Sequence, residues 1–185
     1  PGSCFRKGSL VLMASGGWTK IESVQVGDYV INMQGQSTRV EETNSVPLTN
    51  GRRMMKIQNL VVSDDHDIWV LDEDGRQRWG THNMSWWLHE ARADGDGYDI
   101  DLSQYENPVI ALQYGRANQY ATLKGFEEIL PVYLEHNPNE IIHDICVADG
   151  SGYIVDGFVV VSSPSNPDDC NGFDWQGLNL SEIAA

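Results

Sequence analysis

The stretch Cys4-Phe5-Arg6-Lys7-Gly8-Ser9-Leu10-Val11-Leu12-Met13, continued by Gly17-Trp18-Thr19-Lys20-Ile21-Glu22 and Val26-Gly27-Asp28-Tyr29-Val30-Ile31, decides the fold class. Its apolar residues come in short bursts, each closed by a glycine-bearing pair: Gly8-Ser9, Gly16-Gly17, Gly27-Asp28. Bursts of this length are too short for helices and suit half-buried strands joined by tight turns.

The same texture extends outward. Leu60-Val61-Val62 and Ile68-Trp69-Val70-Leu71 flank a polar Ser63-Asp64-Asp65. Asp74-Gly75, Asp149-Gly150 and Asp156-Gly157 are hairpin signals, because aspartate and glycine tolerate the positive φ that two-residue turns require. Ile145-Cys146-Val147, Tyr153-Ile154-Val155 and Phe158-Val159-Val160-Val161 are β-branched, short and closely spaced. The reading is all-β, with at most short helices at Ser85 to Ala91 and Leu123 to Ile129 and an acidic loop over Ala93 to Gly97. At Ser163 the texture changes to Pro-Ser-Asn-Pro-Asp-Asp, which marks a domain end. Residues 1–3 are then an upstream flank, 4–163 the domain and 164–185 a downstream tail, whose Phe173, Trp175, Leu178 and Leu180 carry enough apolar surface to dock.

Composition narrows the function. Lys plus Arg against Asp plus Glu gives 12 − 27 = −15, a field that repels phosphate backbones, so no nucleic-acid partner is expected. No apolar run approaches the ~20 residues that span a bilayer, so no membrane partner is expected and the chain reads as soluble. Three cysteines, Cys4, Cys146 and Cys170, leave one unpaired and form no C-x-x-C. A disulfide framework and a cysteine-built zinc site are therefore not expected, and a reducing compartment such as a bacterial cytoplasm suits free thiols. His82, His89, His136 and His143 fall at no metal-ligand spacing, so neither metal nor other cofactor is expected.

Cys4 sits where the folded pattern begins, beside the carbonyl of Ser3, within reach of five-membered-ring attack, and Arg6 and Lys7 are cations of the kind that favour a thiolate. The whole run Cys4-Phe5-x-x-Gly8-Ser9-x-Val11-Leu12-Met13, Gly17-Trp18, Ile21-Glu22, Val26-Gly27-Asp28-x-Val30 resembles the opening of the Hedgehog/intein, or Hint, family of self-processing domains and its bacterial intein-like relatives. The resemblance runs from Cys4 to Ser163 and implies a flattened horseshoe of pseudo-twofold-related β-hairpins with both ends near one centre. Ser63-Asp64-Asp65-His66 matches the family's Thr-x-x-His motif with serine in the threonine place. By that match Ser63 holds the scissile bond and His66 protonates its nitrogen as it leaves. His143-Asp144-Ile145-Cys146-Val147 resembles the closing strands, which makes Asp144 the acceptor or relay of the thiol proton. Cys146 reads as core.

The resemblance stops at the end of the last strand. Inteins finish there with His-Asn and then Cys, Ser or Thr; here those positions are Val161, Ser162 and Ser163. Serine has no side-chain amide to cyclise, so asparagine-dependent release of the downstream segment is not expected. Between Trp87 and Asn139 about fifty residues leave no room for the endonuclease domain that many inteins carry. The expected function is an N–S acyl shift at the Ser3–Cys4 bond, giving a thioester resolved by cleavage or transfer. It would be single-turnover in a monomer whose partners are its own flanking segments. The alternative is an inert Hint-fold structural or interaction module within a larger phage or bacterial protein.

Overall fold

The computed structural model describes residues 4–48, 53–71, 75–80, 119–129, 131–135, 137, 139–162 and 173–183. Fifteen strands are described: β1 Phe5–Arg6, β2 Leu10–Leu12, β3 Trp18–Lys20, β4 Tyr29–Ile31, β5 Ser37–Pro47, β6 Met54–Ile57, β7 Leu60–Ser63, β8 Ile68–Leu71, β9 Gln77–Gly80, β10 Gln119–Thr122, β11 Gly125–Glu128, β12 Val132–Leu134, β13 Ile141–Val147, β14 Tyr153–Val155 and β15 Phe158–Val160. A 3-10 turn, Ile21–Ser23, and one helical turn at the end, Leu180–Ile183 (α1), complete the described elements.

The strands form two antiparallel sheets. One runs β12-β6-β7-β1-β13-β5-β4, the other β11-β10-β8-β15-β14-β2-β3, with β9 paired to β8. The arrangement is all-β, as the opening stretch implied. The chain changes sheet between β1 and β2, and Gly8-Ser9 makes that step: Gly8 has φ +93, and Ser9 returns its hydroxyl to the Arg6 carbonyl at 2.7 Å. A side chain at Gly8 would be held in the left-handed region that L-residues avoid. Asp156 and Gly157, both at positive φ, turn β14 into β15 as Asp156-Gly157 predicted.

Strand alternation divides the second sheet between two cores. Ile68, Val70, Tyr153, Val155, Phe158 and Val160 face the main core with Phe5, Val62 and Ile145. Trp69, Ile154 and Val159 face the other way, where Trp175, Phe173, Leu178 and Leu180 cover them. These strands are buried on both faces, which explains their unbroken apolar runs. The tail is tied down by more than apolar contact: Trp175 donates its indole N–H to the Thr122 carbonyl at 2.7 Å, and its amide reaches Gln77 Oε1 at 2.8 Å.

One expectation is overturned. Leu123 to Ile129 is not a helix; Gly125–Glu128 is β11, paired in register with β10 from Gln119↔Glu128 to Thr122↔Gly125. Thr122 fixes the turn by accepting the Lys124 amide on its hydroxyl oxygen. The proposed helix at Ser85 to Ala91 and the loop at Ala93 to Gly97 lie outside the described residues, as do Ser3, Ser163, Cys170, His82, His89 and His136.

Candidate functional site

Cys4 enters the fold immediately before β1, the strand clamped between β7 and β13 through Phe5↔Val62 and Phe5↔His143. Its side chain is buried, with 2% exposed. Its backbone is gripped on both sides by one residue. The Cys4 N–H donates to Ser63 Oγ at 2.9 Å, and the Ser63 N–H donates to the Cys4 carbonyl at 2.9 Å. Ser63 is wholly buried at the end of β7, away from bulk solvent. Here Ser63 Oγ is the acceptor, and because a hydroxyl can also donate, it could turn its proton to that nitrogen once the amide resonance is broken.

The chain leaves β7 by a turn in which the His66 N–H meets the Ser63 carbonyl at 3.1 Å. The His66 ring packs on Phe5 with centroids 4.5 Å apart, and Nε2 lies 3.2 Å from the Val161 carbonyl oxygen. The next residue, Asp67, accepts the Val161 N–H at 3.1 Å. One short loop, Ser63 to Asp67, therefore touches both the start of the fold at Cys4 and its closing strand at Val161. Ser162 is buried and accepts the Val147 N–H on Oγ at 2.9 Å, beside the register shift of β13 at Cys146/Val147.

Asp144 lies on β13, buried to 4% exposure. Its Oδ1 accepts the Tyr153 hydroxyl at 3.0 Å and its neighbour's amide, Ile145 N–H, at 2.8 Å. Burial pushes the carboxyl up to about 7, against the pull of those two hydrogen bonds toward the charged form. Burial also raises the Tyr153 phenol well above its usual range, reinforced by the Asp144 charge and hydrogen bond and then by the charge of Cys4. Tyr153 thus senses both Asp144 and Cys4. The Cys146 thiol is pushed up to about 11, first by burial and then by Asp144 and Glu42, so it stays a protonated core thiol as the sequence suggested.

Cys4, Ser63, His66, Asp144 and Ser162 all fall at this junction of β1, β7, β13 and the end of β15. Tyr153 joins them and was not foreseen; in the sequence it reads only as an apolar position of β14. Its signal was available, since a tyrosine on an inward-facing strand position must find a partner for its hydroxyl. Of the two basic neighbours, Arg6 has partners elsewhere. Arg6 binds Glu140 through Nε at 3.0 Å and the Glu135 carbonyl at 3.3 Å, which commits its guanidinium away from the thiol. Among the described residues no cluster of three or more His, Cys, Asp or Glu is arranged to hold a metal ion.

Solved structures of similar architecture include a bacterial intein-like domain from Clostridium thermocellum, 18% identical over 86% of this chain and 98% of that chain, with a TM-score of 0.51. The gp41-1 intein is 12% identical over 88% of this chain and 100% of that one, also with a TM-score of 0.51. A variant of the Ssp DnaB mini-intein is 14% identical over 90% and 98% of the two chains, with a TM-score of 0.50. No family model and no curated protein matches the sequence. The fold is that of the intein-like Hint domains.

Proposed function

We propose that this intein-like fold is a single-turnover self-processing element that breaks the Ser3–Cys4 peptide bond through an N–S acyl shift. The observation that carries the reading is the buried hydrogen bond from the Cys4 amide to Ser63 Oγ, on the nitrogen that must become the leaving group. In the reaction the Cys4 thiol gives its proton to Asp144, and the sulfur attacks the Ser3 carbonyl carbon. The carbonyl π electrons move to oxygen and then return as the carbon–nitrogen bond breaks. The nitrogen takes up a proton, supplied through Ser63 and His66, and leaves as the Cys4 amine. The product is a thioester between the Ser3 acyl group and the Cys4 sulfur, atom for atom an isomer of the starting chain.

Physical chemistry supports the assignment of roles. An amide nitrogen leaves poorly until its resonance is broken or it is protonated. A hydroxyl held 2.9 Å from it in a buried site can deliver that proton once the nitrogen becomes basic. A carboxyl raised to about 7 is matched to accepting a thiol proton near neutrality. Water, an external nucleophile or Ser163 then resolves the thioester. Downstream release by asparagine cyclisation is excluded from the proposal, because Ser162 occupies that place and offers a hydroxyl already engaged with Val147.

The test is intact mass spectrometry of a fusion carrying a reporter protein ahead of Ser3. Hydroxylamine or dithiothreitol should free the reporter from the native sequence and not from Cys4→Ala. Equal release from both would remove Cys4 from the reaction, and none from either would leave the inert-module alternative as the reading.

A further inference from the structure

We propose that Tyr153 is a positioning residue for self-processing, and that its phenol, acting through Asp144, sets the pH at which Asp144 accepts the Cys4 proton. The inference rests on the function proposed above and deepens it.

Tyr153 is fully buried on β14, in the opposite sheet from β13, so it brings a polar group across the main core to reach Asp144. Its ring is fixed by an edge contact with Phe5, centroids 6.3 Å apart, and Phe5 follows Cys4 in the chain. A buried phenol needs a partner, and a buried carboxyl is an expensive one to supply. The hydroxyl donates to the Asp144 oxygen that also holds the Ile145 amide. Both donors favour the ionised carboxylate, so they limit how far burial can keep it protonated.

The surroundings leave Tyr153 well placed to make that adjustment. On β13 itself Asp144 meets Cys146 two residues on, whose thiol stays protonated. From β5 the register partner is neutral Asn44, and Glu42 lies opposite Cys146. From β1 come Phe5, opposite His143, and Cys4 before it. The 3-10 turn contributes Glu22, which accepts the Gly8 amide at 2.9 Å. On the other side of Phe5 lies His66, engaged with the Val161 carbonyl. The phenol remains protonated throughout the neutral range, because its own ionisation is pushed upward by burial and by Asp144. It therefore acts as a constant donor and never as a competing titrating group.

The experiment measures the rate of reporter release against pH for the native fusion, Tyr153→Phe and Asp144→Asn. The native profile should rise with an inflection near 7. Tyr153→Phe removes one donor to the carboxylate, so its inflection should move up by about one pH unit, with release ~10-fold slower below it and recovering above it. Asp144→Asn should lose that inflection. A Tyr153→Phe profile that is lowered by the same factor at every pH, or that overlays the native one, overturns the inference. Ring-fluorinated tyrosine placed at 153 preserves the packing and strengthens the donor; it should move the inflection down, and an unmoved inflection overturns the proposal even if Tyr153→Phe does not fold. Failure of the underlying reading is separately visible, as release that does not depend on Cys4.

Discussion

Asp144→Asn should stabilise the fold at alkaline pH and leave it unchanged in acid. The carboxyl has a folded value of about 7 against an ordinary 3.8, raised chiefly by burial. The sign follows directly. Below pH ~4 both folded and unfolded chains carry the proton and the group has no effect on stability. Between ~4 and ~7 the unfolded chain ionises and the folded one does not, so folding loses stability as pH rises. Above ~7 both are ionised and the loss is complete. About three pH units at ~1.36 kcal/mol each give a penalty of about 4 kcal/mol at full development, an upper bound because the buried site can relax.

Asparagine occupies the same volume and can still accept the Tyr153 hydroxyl and the Ile145 amide, while carrying no charge to bury. The variant should therefore gain about 2–4 kcal/mol at pH 8, or roughly 5–15 °C in Tm for a chain of this size, and nothing at pH 4. Urea denaturation at pH 4, 6 and 8 measures it, in a Cys4→Ala background so that processing does not complicate the baseline. A difference that is equal at pH 4 and pH 8, or a native chain that is the more stable one at pH 8, would refute the argument; Asp144 would then be solvated or charge-paired.

Ser63→Ala removes the acceptor of a buried amide and leaves the Cys4 N–H unsatisfied, costing about 1–3 kcal/mol by chemical denaturation and slowing reporter release at every pH. Full-rate release from that variant would remove Ser63 from the mechanism. Replacing Val161 with histidine and Ser162 with asparagine returns the pair that inteins carry at this place. A reporter fused after Ser163 should then be shed with a C-terminal succinimide, whereas it stays attached in the native sequence; succinimide formation near Ser162 in the unmodified chain would require the closing strand to be re-read.

Much of this could be read from the sequence because its determinants are local. Gly8-Ser9 and Asp156-Gly157 require particular backbone angles, and the bursts between such pairs alternate with period two. The misread segment shows where local information fails. Leu123, Lys124, Glu127 and Glu128 are good helix formers, but β10 pairs with β8 through Gln119↔Leu71 and Tyr120↔Val70 and so offers β11 an edge. Tertiary pairing outweighed propensity there. Tyr153 was overlooked for the opposite reason. Alternation correctly put it inside, yet nothing within β14 reveals that its hydroxyl meets Asp144, nine residues earlier and on the other sheet. That the tail docks was legible in its apolar residues, but not where, since Thr122 and Gln77 are its partners only after both sheets exist.

The position of Cys4 explains why breaking a bond at the edge of the fold need not disturb the fold. Phe5, the first residue of β1, is registered to Val62 on one side and His143 on the other through its own backbone, which the proposed cleavage would leave intact. The Cys4 carbonyl accepts the Ser63 amide at 2.9 Å, a contact that does not involve the scissile bond. Only the nitrogen changes partner chemistry, from amide donor to amine, and the Ser63 hydroxyl can reverse its role to follow. The closing strand is secured separately, with Val161 held at Asp67 and His66, and Ser162 at Val147. The proposed rearrangement would involve only the Cys4 thiol and nitrogen and the Ser3 carbonyl, none of which takes part in a strand pairing. A site so arranged can hold its groups in reacting geometry throughout, which is the condition under which intramolecular attack gains its large effective concentration.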